Sequence, residues 1–298
     1  MEFSKYLLLP DGRLRAGWRV LIFIGLYIFA LMISSWAFYG LLSVDLFVYS
    51  AAVQLAATIT ATWLMLRFFD RRSFLSVGLS PSRGAVHDLG YGFLLGFAMV
   101  EVVIVVEVTT GMVAIEQISD MSALAFGSLT GVLGLLLVAA SAEEVLFRGY
   151  PFQRLVEGIG GGGAIALTSV LFGWMHAGNP DATALSMINT VLAGILFSVA
   201  YLKTQALWLP IGAHFAWNWT LAVSGFPVSG LVVIEMPWRA LSASGTVWLH
   251  GGGYGPEGGL VGTVVLGLGI SIVATKLRPR APEIEKTSGP AAGLDGSL

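Results

Sequence analysis

The sequence predicts an all-α integral membrane protein, a bundle of about eight transmembrane helices with both termini in the cytoplasm. The chain has 298 residues, of which 56% are hydrophobic and 11% charged. A soluble domain carries about 25% charged residues, so most of this chain belongs in lipid. Two further observations support the prediction: eight apolar windows long enough to span a bilayer, and Lys and Arg residues confined to alternate connections.

Arg13 and Arg15 precede the first span, as basic residues precede the apolar core of a secretory signal peptide. The apolar run of about 25 residues is longer than the 7–15 residues of such a core, so we predict that the first span is retained in the mature protein. Gly158–Gly163 reads as a flexible cytoplasmic turn, which with Pro180 shortens the fifth span. The predicted spans are residues 18–42, 46–66, 89–108, 129–147, 163–179, 184–202, 207–223 and 258–274.

Basic residues precede the first span and follow the second, fourth, sixth and eighth. The odd connections are acidic, and Arg239 is the one Lys or Arg in them. Because basic residues accumulate on the cytoplasmic side, this alternation predicts cytoplasmic termini. The basic residues of the even connections and ends are Lys5, Arg13, Arg15, Arg67, Arg71, Arg72, Arg83, Arg148, Arg154, Lys203, Lys276, Arg278 and Arg280.

Residues 1–280 are predicted to form one polytopic membrane domain. Residues 281–298 lack the apolar content to fold and are predicted to be a disordered cytoplasmic tail. The outward connection 225–257 is long enough to be functional or mobile. A net charge of -2 argues against a nucleic-acid partner, and the absence of cysteine excludes disulfides and thiolate metal ligands.

Glu143, Glu144 and Arg148 form the first of three polar clusters inside apolar spans. Ionisable groups at membrane depth are costly and indicate a functional site. Glu144 and Arg148 are four residues apart, a spacing that permits an ion pair and leaves Glu143 the freer carboxylate. A carboxylate in a poorly solvated pocket suits a general base. The alternative is a structural ion-pair cluster near the interface.

The other two clusters each hold a histidine at helical spacing. Phe172 lies four residues before His176 and is predicted to pack beneath its ring. His214 and Asn218 share one helix face, from which they could donate hydrogen bonds to an oxyanion, or the imidazole could bind a metal. The alternatives are an interfacial hydrogen bond for His176 and a helix–helix hydrogen bond for the other pair.

The three motifs together resemble the CPBP family of intramembrane proteases. Glu-Glu-x-x-x-Arg, Phe-x-x-x-His and His-x-x-x-Asn occur in this order on separate predicted helices, and the resemblance covers about residues 129–224. The opening segment 12–19 looks like bacterial members, which implies a bacterial plasma membrane protein. The family includes type II CAAX prenyl endopeptidases and proteins linked to bacteriocin self-immunity.

The resemblance implies an eight-helix bundle that hydrolyses peptide bonds within the membrane. It implies that Glu143 and His176 activate a water molecule and that His214 and Asn218 stabilise the tetrahedral oxyanion. Glu144 belongs to the same catalytic group and supports the other four residues. The implied partners are a membrane-associated peptide or protein substrate and the lipid bilayer.

Arg148 and Phe172 are predicted to support the catalytic group. A metal is the open alternative, because Glu143, His176 and His214 could supply three zinc ligands and leave a fourth position free. The chain has no H-E-x-x-H motif, and a zinc-bound Glu143 would leave the reaction without its base. We therefore expect a glutamate-dependent mechanism without a cofactor.

The substrate and the access route are expectations as well. The site is expected to open towards the cytoplasmic leaflet, and cleavage of a prenylated CAAX tail is a second enzymatic interpretation. A non-catalytic immunity or peptide-binding protein is the alternative from another class.

The depth of two candidate residues in the membrane poses one difficulty for a shared site. Glu143 lies roughly 8 Å from the cytoplasmic end of its helix, whereas His176 lies roughly 20 Å from the cytoplasmic end of its own helix. They meet only if the fifth span begins after the glycine run or if the helices tilt.

Overall fold

The computed structural model describes residues 4–10, 12–43, 45–81, 83–120, 126–242 and 245–280, and these are mostly helical. Each of the eight predicted spans falls on one long helix, so the predicted fold class is confirmed. The predicted tail 281–298 lies outside the described residues. The long helices are α1 (Ala16–Ala37), α2 (Leu46–Leu64), α3 (Arg83–Thr109), α4 (Phe126–Arg148), α5 (Tyr150–Met175), α6 (Ala184–Thr204), α7 (Trp208–Val223) and α8 (Leu260–Lys276).

Five helical stretches of the described chain are long and apolar enough to cross a membrane. The longest, Leu129–Met175, contains both α4 and α5, which meet at Gly149. The apolar helix α8 is shorter, with 17 residues, and α7, with 16 residues, is largely buried by its neighbours. The side of the membrane on which the termini lie stays a prediction.

Helix α5 corrects the predicted turn at the glycine run. The run is helical on both sides of a single break at Gly160, whose φ of 73° and ψ of 168° lie in a region that is essentially restricted to glycine. The chain thus enters α5 at Tyr150, earlier than predicted, and changes direction at Gly160. The segment that leads to His176 then has about 15 residues and a length of roughly 22 Å. The segment is thus about as long as predicted, so the break alone does not remove the difficulty of depth; Glu143 and His176 nevertheless line the same cavity.

Substituting Gly160 by Ala is expected to destabilise the protein by about 1–3 kcal/mol. A Cβ at Gly160 would meet no atom within 4 Å, so the cost is one of backbone conformation alone. Gly162 is the matched control, because it also has open space but lies in regular helix. Ala there should be neutral or stabilising by up to about 1 kcal/mol. Thermal unfolding in detergent measures both, and equal shifts for the two variants would contradict the kink.

The closest helix packing joins α3 to α7 through glycines. A Cβ on Gly92 would collide with the carbonyl oxygen of Leu209, and one on Gly212 with that of Leu89. Small residues that let two backbones approach are typical of helix pairs in membranes. This contact fixes the position of α7, the helix that carries His214.

The outward connections contain a two-stranded sheet that the sequence did not indicate. Strand β1 (Val113–Gln117) follows α3 and pairs antiparallel with β2 (Trp238–Ser242), with Ile115 opposite Ala240. The sheet anchors the long connection between α7 and α8 to the outward end of α3. The same connection is also tied to α6, because Asn189 Nδ2 donates to the carbonyl oxygens of Glu257, at 2.8 Å, and Gly259, at 2.9 Å.

Candidate active site

The three polar clusters meet at a cavity of about 530 Å³ inside the bundle. Its wall includes Glu143 from α4, His176 at the end of α5, and His214 and Asn218 from α7. Phe172 lines the cavity as well. The residues come from three different helices, so the arrangement depends on the tertiary fold rather than on local spacing.

Glu144 lies behind the cavity wall, with no exposed side-chain surface. Its Oε1 accepts a hydrogen bond from Arg148 Nη1 at 3.1 Å, which confirms the predicted ion pair. The same oxygen accepts from His214 Nδ1 at 2.8 Å, a contact that the sequence did not indicate. Because a carboxylate oxygen accepts, Nδ1 of His214 carries a hydrogen, and the ring directs Nε2 towards Glu143.

Arg148 is also fully buried and is held on several sides. Its Nη2 donates to Gly194 O at 2.9 Å, and its Nε donates to Ser198 Oγ at 3.4 Å, both on α6. The guanidinium carbon lies 4.7 Å from the ring centre of Phe172. A buried ion pair is stable only when additional hydrogen bonds satisfy both partners, and this one meets that condition on the arginine side.

Glu143 is the freer carboxylate, as predicted. Its side chain is 22% exposed, and Oε2 has no hydrogen-bond partner among the described residues. Oε2 lies 3.8 Å from His214 Nε2, beyond hydrogen-bond distance. This oxygen is itself buried, but the residue lines the cavity and its carboxylate is not committed to a hydrogen bond at Oε2, which suits a group that accepts a proton from water.

His176 directly follows the last residue of α5, and its backbone caps that helix. Its Nδ1 donates to Phe172 O at 2.8 Å, so Nε2 is the nitrogen available to the cavity. The ring centre of Phe172 lies 4.8 Å from that of His176 and 6.0 Å from that of His214. Phe172 therefore packs against both imidazoles, and its supporting role stays a prediction.

Glu257 is a cavity residue that sequence reasoning missed. It comes from the outward connection, where only its acidic character in a Gly-rich segment distinguished it. Its Oε1 accepts from Trp217 Nε1 at 2.9 Å, and its Oε2 accepts from the backbone and hydroxyl groups of Ser229. Burial raises the pKa of the Glu257 carboxyl above its ordinary value, while the hydrogen bonds from Ser229 oppose that shift. These bonds attach the connection to α7 above the cavity.

The three residues considered as zinc ligands, Glu143, His176 and His214, line one cavity. Within the described ranges, no three His, Asp or Glu side chains are grouped closely enough to hold a metal ion as they stand. One nitrogen of each imidazole is engaged, in His214 by Glu144 and in His176 by the carbonyl of Phe172, which leaves Nε2 of each ring free. Metal-binding histidines commonly make such a second hydrogen bond, so the metal-free mechanism stays a prediction.

The motif-bearing part of the chain matches a known family. Residues 125–220 match the model described as type II CAAX prenyl endopeptidase Rce1-like, and the predicted family resemblance is confirmed for this segment. The chain is also 26% identical over 189 residues to the uncharacterized protein YyaK of Bacillus subtilis (strain 168), a match that covers 60% of this chain and 61% of that protein. No solved structure matches the chain.

Proposed function

We propose that this chain, with its Rce1-like segment, is an integral membrane endopeptidase that hydrolyses a peptide bond in the cavity between α4, α5 and α7. The observation that carries the proposal is that Glu143, His176, His214 and Asn218 share one cavity wall. The substrate is a membrane-associated peptide or protein, and the reaction takes place in the lipid-embedded part of the protein.

In the proposed mechanism, the Glu143 carboxylate and His176 Nε2 hold the attacking water. Glu143 takes a proton from that water as its oxygen attacks the carbonyl carbon of the substrate, and the proton then passes to the leaving amine. This role fits the uncommitted oxygen of Glu143 and the fixed direction of the His176 ring.

The carbonyl oxygen of the substrate becomes an oxyanion, which His214 Nε2 and the Asn218 amide stabilise. His214 Nδ1 already donates to Glu144, so a hydrogen on Nε2 makes the ring an imidazolium. The carboxylates of Glu144 and Glu143 flank this ring and favour its positive charge. Glu144 thereby acts through His214 as a positioning residue, with Arg148 as its counter-ion. No step needs a metal.

Asn218→Ala is expected to lower kcat by roughly 10²–10³-fold, which is the typical cost of removing one oxyanion donor, with KM nearly unchanged. The amide is expected to contact the oxyanion that forms during the reaction and not the bound substrate. Asn179→Ala is the matched control, because Asn179 also lines the cavity but donates to Ser229 O at 3.0 Å in the outward connection. A change confined to KM in Asn218→Ala would contradict the assigned role.

Strong chelators are expected to leave the native enzyme active after prolonged incubation. The reason is that the mechanism assigns the proton transfer and the charge stabilisation to protein side chains alone. Activity measured before and after dialysis against the chelator tests this expectation. Loss of activity that stoichiometric zinc restores would overturn the metal-free mechanism and reassign Glu143, His176 and His214 as ligands.

Comparative membrane proteomics tests the function itself. Cells that carry the native chain should contain a new peptide terminus that is absent from cells carrying Glu143→Gln at equal expression. If no terminus depends on Glu143 but the native chain still protects cells from a peptide toxin, the protein is a non-catalytic immunity or peptide-binding protein instead.

A further inference from the structure

The loops that line the cavity all lie at one end of the helical bundle. The connections that contribute to the cavity wall are those after α5 and α7, through Asn179, Val228, Ser229, Val233 and Glu257. Both are odd connections, which the charge pattern places outside the cytoplasm. Among the described residues, no even connection contributes to the wall.

Three helices line the cavity from the side of these loops, whereas α4 lines it down to Phe147, near its carboxyl-terminal end. Helix α2 contributes residues between Phe47 and Gln54, in its first half, and α6 contributes residues between Asn189 and Phe197. Both helices begin at the outward end of the bundle. In α8 the lining residue is Leu266, and none of its last ten residues lines the cavity. The cavity therefore extends from the catalytic groups towards the outward connections.

The opposite end is closed by buried ion pairs. Directly beneath the catalytic groups lies the fully buried pair of Glu144 and Arg148. Closer to the cytoplasmic face, Arg19 Nη1 lies 3.1 Å from Asp70 Oδ1, and Arg154 Nη1 lies 3.0 Å from Asp70 Oδ2. The side chains of these three residues are only 2–3% exposed. Glu157 completes this closing cluster, at 2.6 Å from Arg19 and 2.9 Å from Arg154.

The closed end is also the basic end of the molecule. At the open end, Arg239 is the one Lys or Arg of the described connections, and its Nη2 lies 3.5 Å from Glu116 Oε2. An excess of basic residues marks the cytoplasmic side of a membrane protein. Besides Arg19 and Arg154, the described basic residues at the closed end include Arg13, Arg15, Arg67, Arg71, Arg72, Lys203, Lys276, Arg278 and Arg280.

The chemistry of the wall limits what can bind. Two carboxylates line the cavity, those of Glu143 and Glu257, and no Lys or Arg is among its described lining residues. Aromatic side chains such as Tyr27, Phe47 and Trp217 supply apolar surface. A carboxyl terminus carries a negative charge and would meet no Lys or Arg here, and the charge of the proposed His214 imidazolium is already balanced by Glu144 and Glu143. An internal apolar segment brings no charge to the site.

We propose that the cavity opens on the extracytoplasmic side and receives an internal, apolar segment of a polypeptide exposed at the outer leaflet. The substrate part of this inference rests on the proposed proteolytic function, while the direction of opening does not. It replaces the expectation that the site opens towards the cytoplasmic leaflet. It also disfavours a cytoplasmic prenylated tail, which carries its charge at the carboxyl terminus.

Single cysteines test the direction of opening, because the chain has no cysteine of its own. Ser50 lines the cavity, Ser73 is exposed at the closed end, and Val232, 72% exposed, marks the outward connection. In intact cells, a membrane-impermeant maleimide should label Ser50→Cys and Val232→Cys to the same extent as after permeabilisation. Ser73→Cys should be labelled only after permeabilisation.

Each other labelling pattern overturns the inference. Protection of Val232→Cys in intact cells would invert the topology. Labelling of Val232→Cys without Ser50→Cys would mean that the cavity does not open at this end. Labelling of Ser73→Cys in intact cells would place the basic end outside. The same measurements in a Glu143→Gln background should be unchanged, so that a failure of catalysis is not confused with a failure of topology.

The substrate part needs a separate measurement with purified protein. An apolar peptide with its cleavable bond far from both ends is offered with a free carboxyl terminus or with a terminal amide. Both forms should be cleaved with the same kcat/KM, since neither terminus enters the cavity. A strong preference for the free carboxylate would overturn the assigned substrate class and leave the proteolytic function intact. Cleavage of neither form by a chain that passes the labelling test would count against the proteolytic function and, with it, the substrate class.

Discussion

Glu143→Gln is expected to lower kcat by about 10²–10⁴-fold, the range over which a general base contributes to catalysis. Glutamine preserves the size of the side chain but cannot accept the proton of the attacking water. The fold should tolerate the change, because Oε2 of Glu143 makes no hydrogen bond within the described structure. The variant should therefore insert, purify and unfold like the native protein, and turnover of a cleaved substrate measures the loss.

Glu101→Gln is the matched control for this experiment. Glu101 is also a carboxylate within a membrane helix, but it lies on α3 and is not part of the cavity wall. It should retain native turnover, which would exclude a general effect of removing a membrane carboxylate. Near-native activity in Glu143→Gln would contradict the assignment of Glu143 as the base.

Glu144→Ala is expected to destabilise the protein by about 3–5 kcal/mol, the cost of breaking a buried ion pair by removing one partner. The change leaves Arg148 without its paired carboxylate in a site that has no solvent access. It also removes the acceptor of His214 Nδ1, so that activity should fall together with stability. Thermal unfolding and turnover, measured on the same preparation, test both effects.

Arg148→Met separates the two contributions. It removes the positive charge, but Glu144 keeps His214 as a hydrogen-bond partner, so the single variant should be less destabilised than Glu144→Ala. The double variant should recover part of the stability lost in Glu144→Ala, because no unpaired charge remains. Additive losses in the double variant would show that the two residues do not act as a pair.

The sequence determined those features that depend on local spacing and on the solvent. Long apolar stretches can cross a bilayer only as helices, so eight helices could be located from composition alone. A helix brings residues four apart together on one face. For this reason the Glu144–Arg148 pair and the packing of Phe172 beneath His176 were predicted, and the structure has both.

The tertiary structure decided every contact between helices. His214 and Glu144 are separated by 70 positions in the chain, and no periodicity indicates that they meet. The break at Gly160 is one dihedral choice within a run of glycines, each of which could adopt it equally well. Glu257 reaches the cavity because a distant strand pairing and its own hydrogen bonds hold the connection in place.

The candidate catalytic residues and their order along the chain could be selected from the sequence alone, because charged groups buried in lipid are conspicuous. The direction of opening that we propose depends on the fold. Sequence gives the depth of a residue along its own helix, but the path of access depends on which side chains fill the space between helices. Here the ion pairs of Glu144 and Arg148 and of Asp70 with Arg19 and Arg154 fill the basic end. The wall above Glu143 is formed by residues of the connections after α5 and α7, where we propose that the cavity opens.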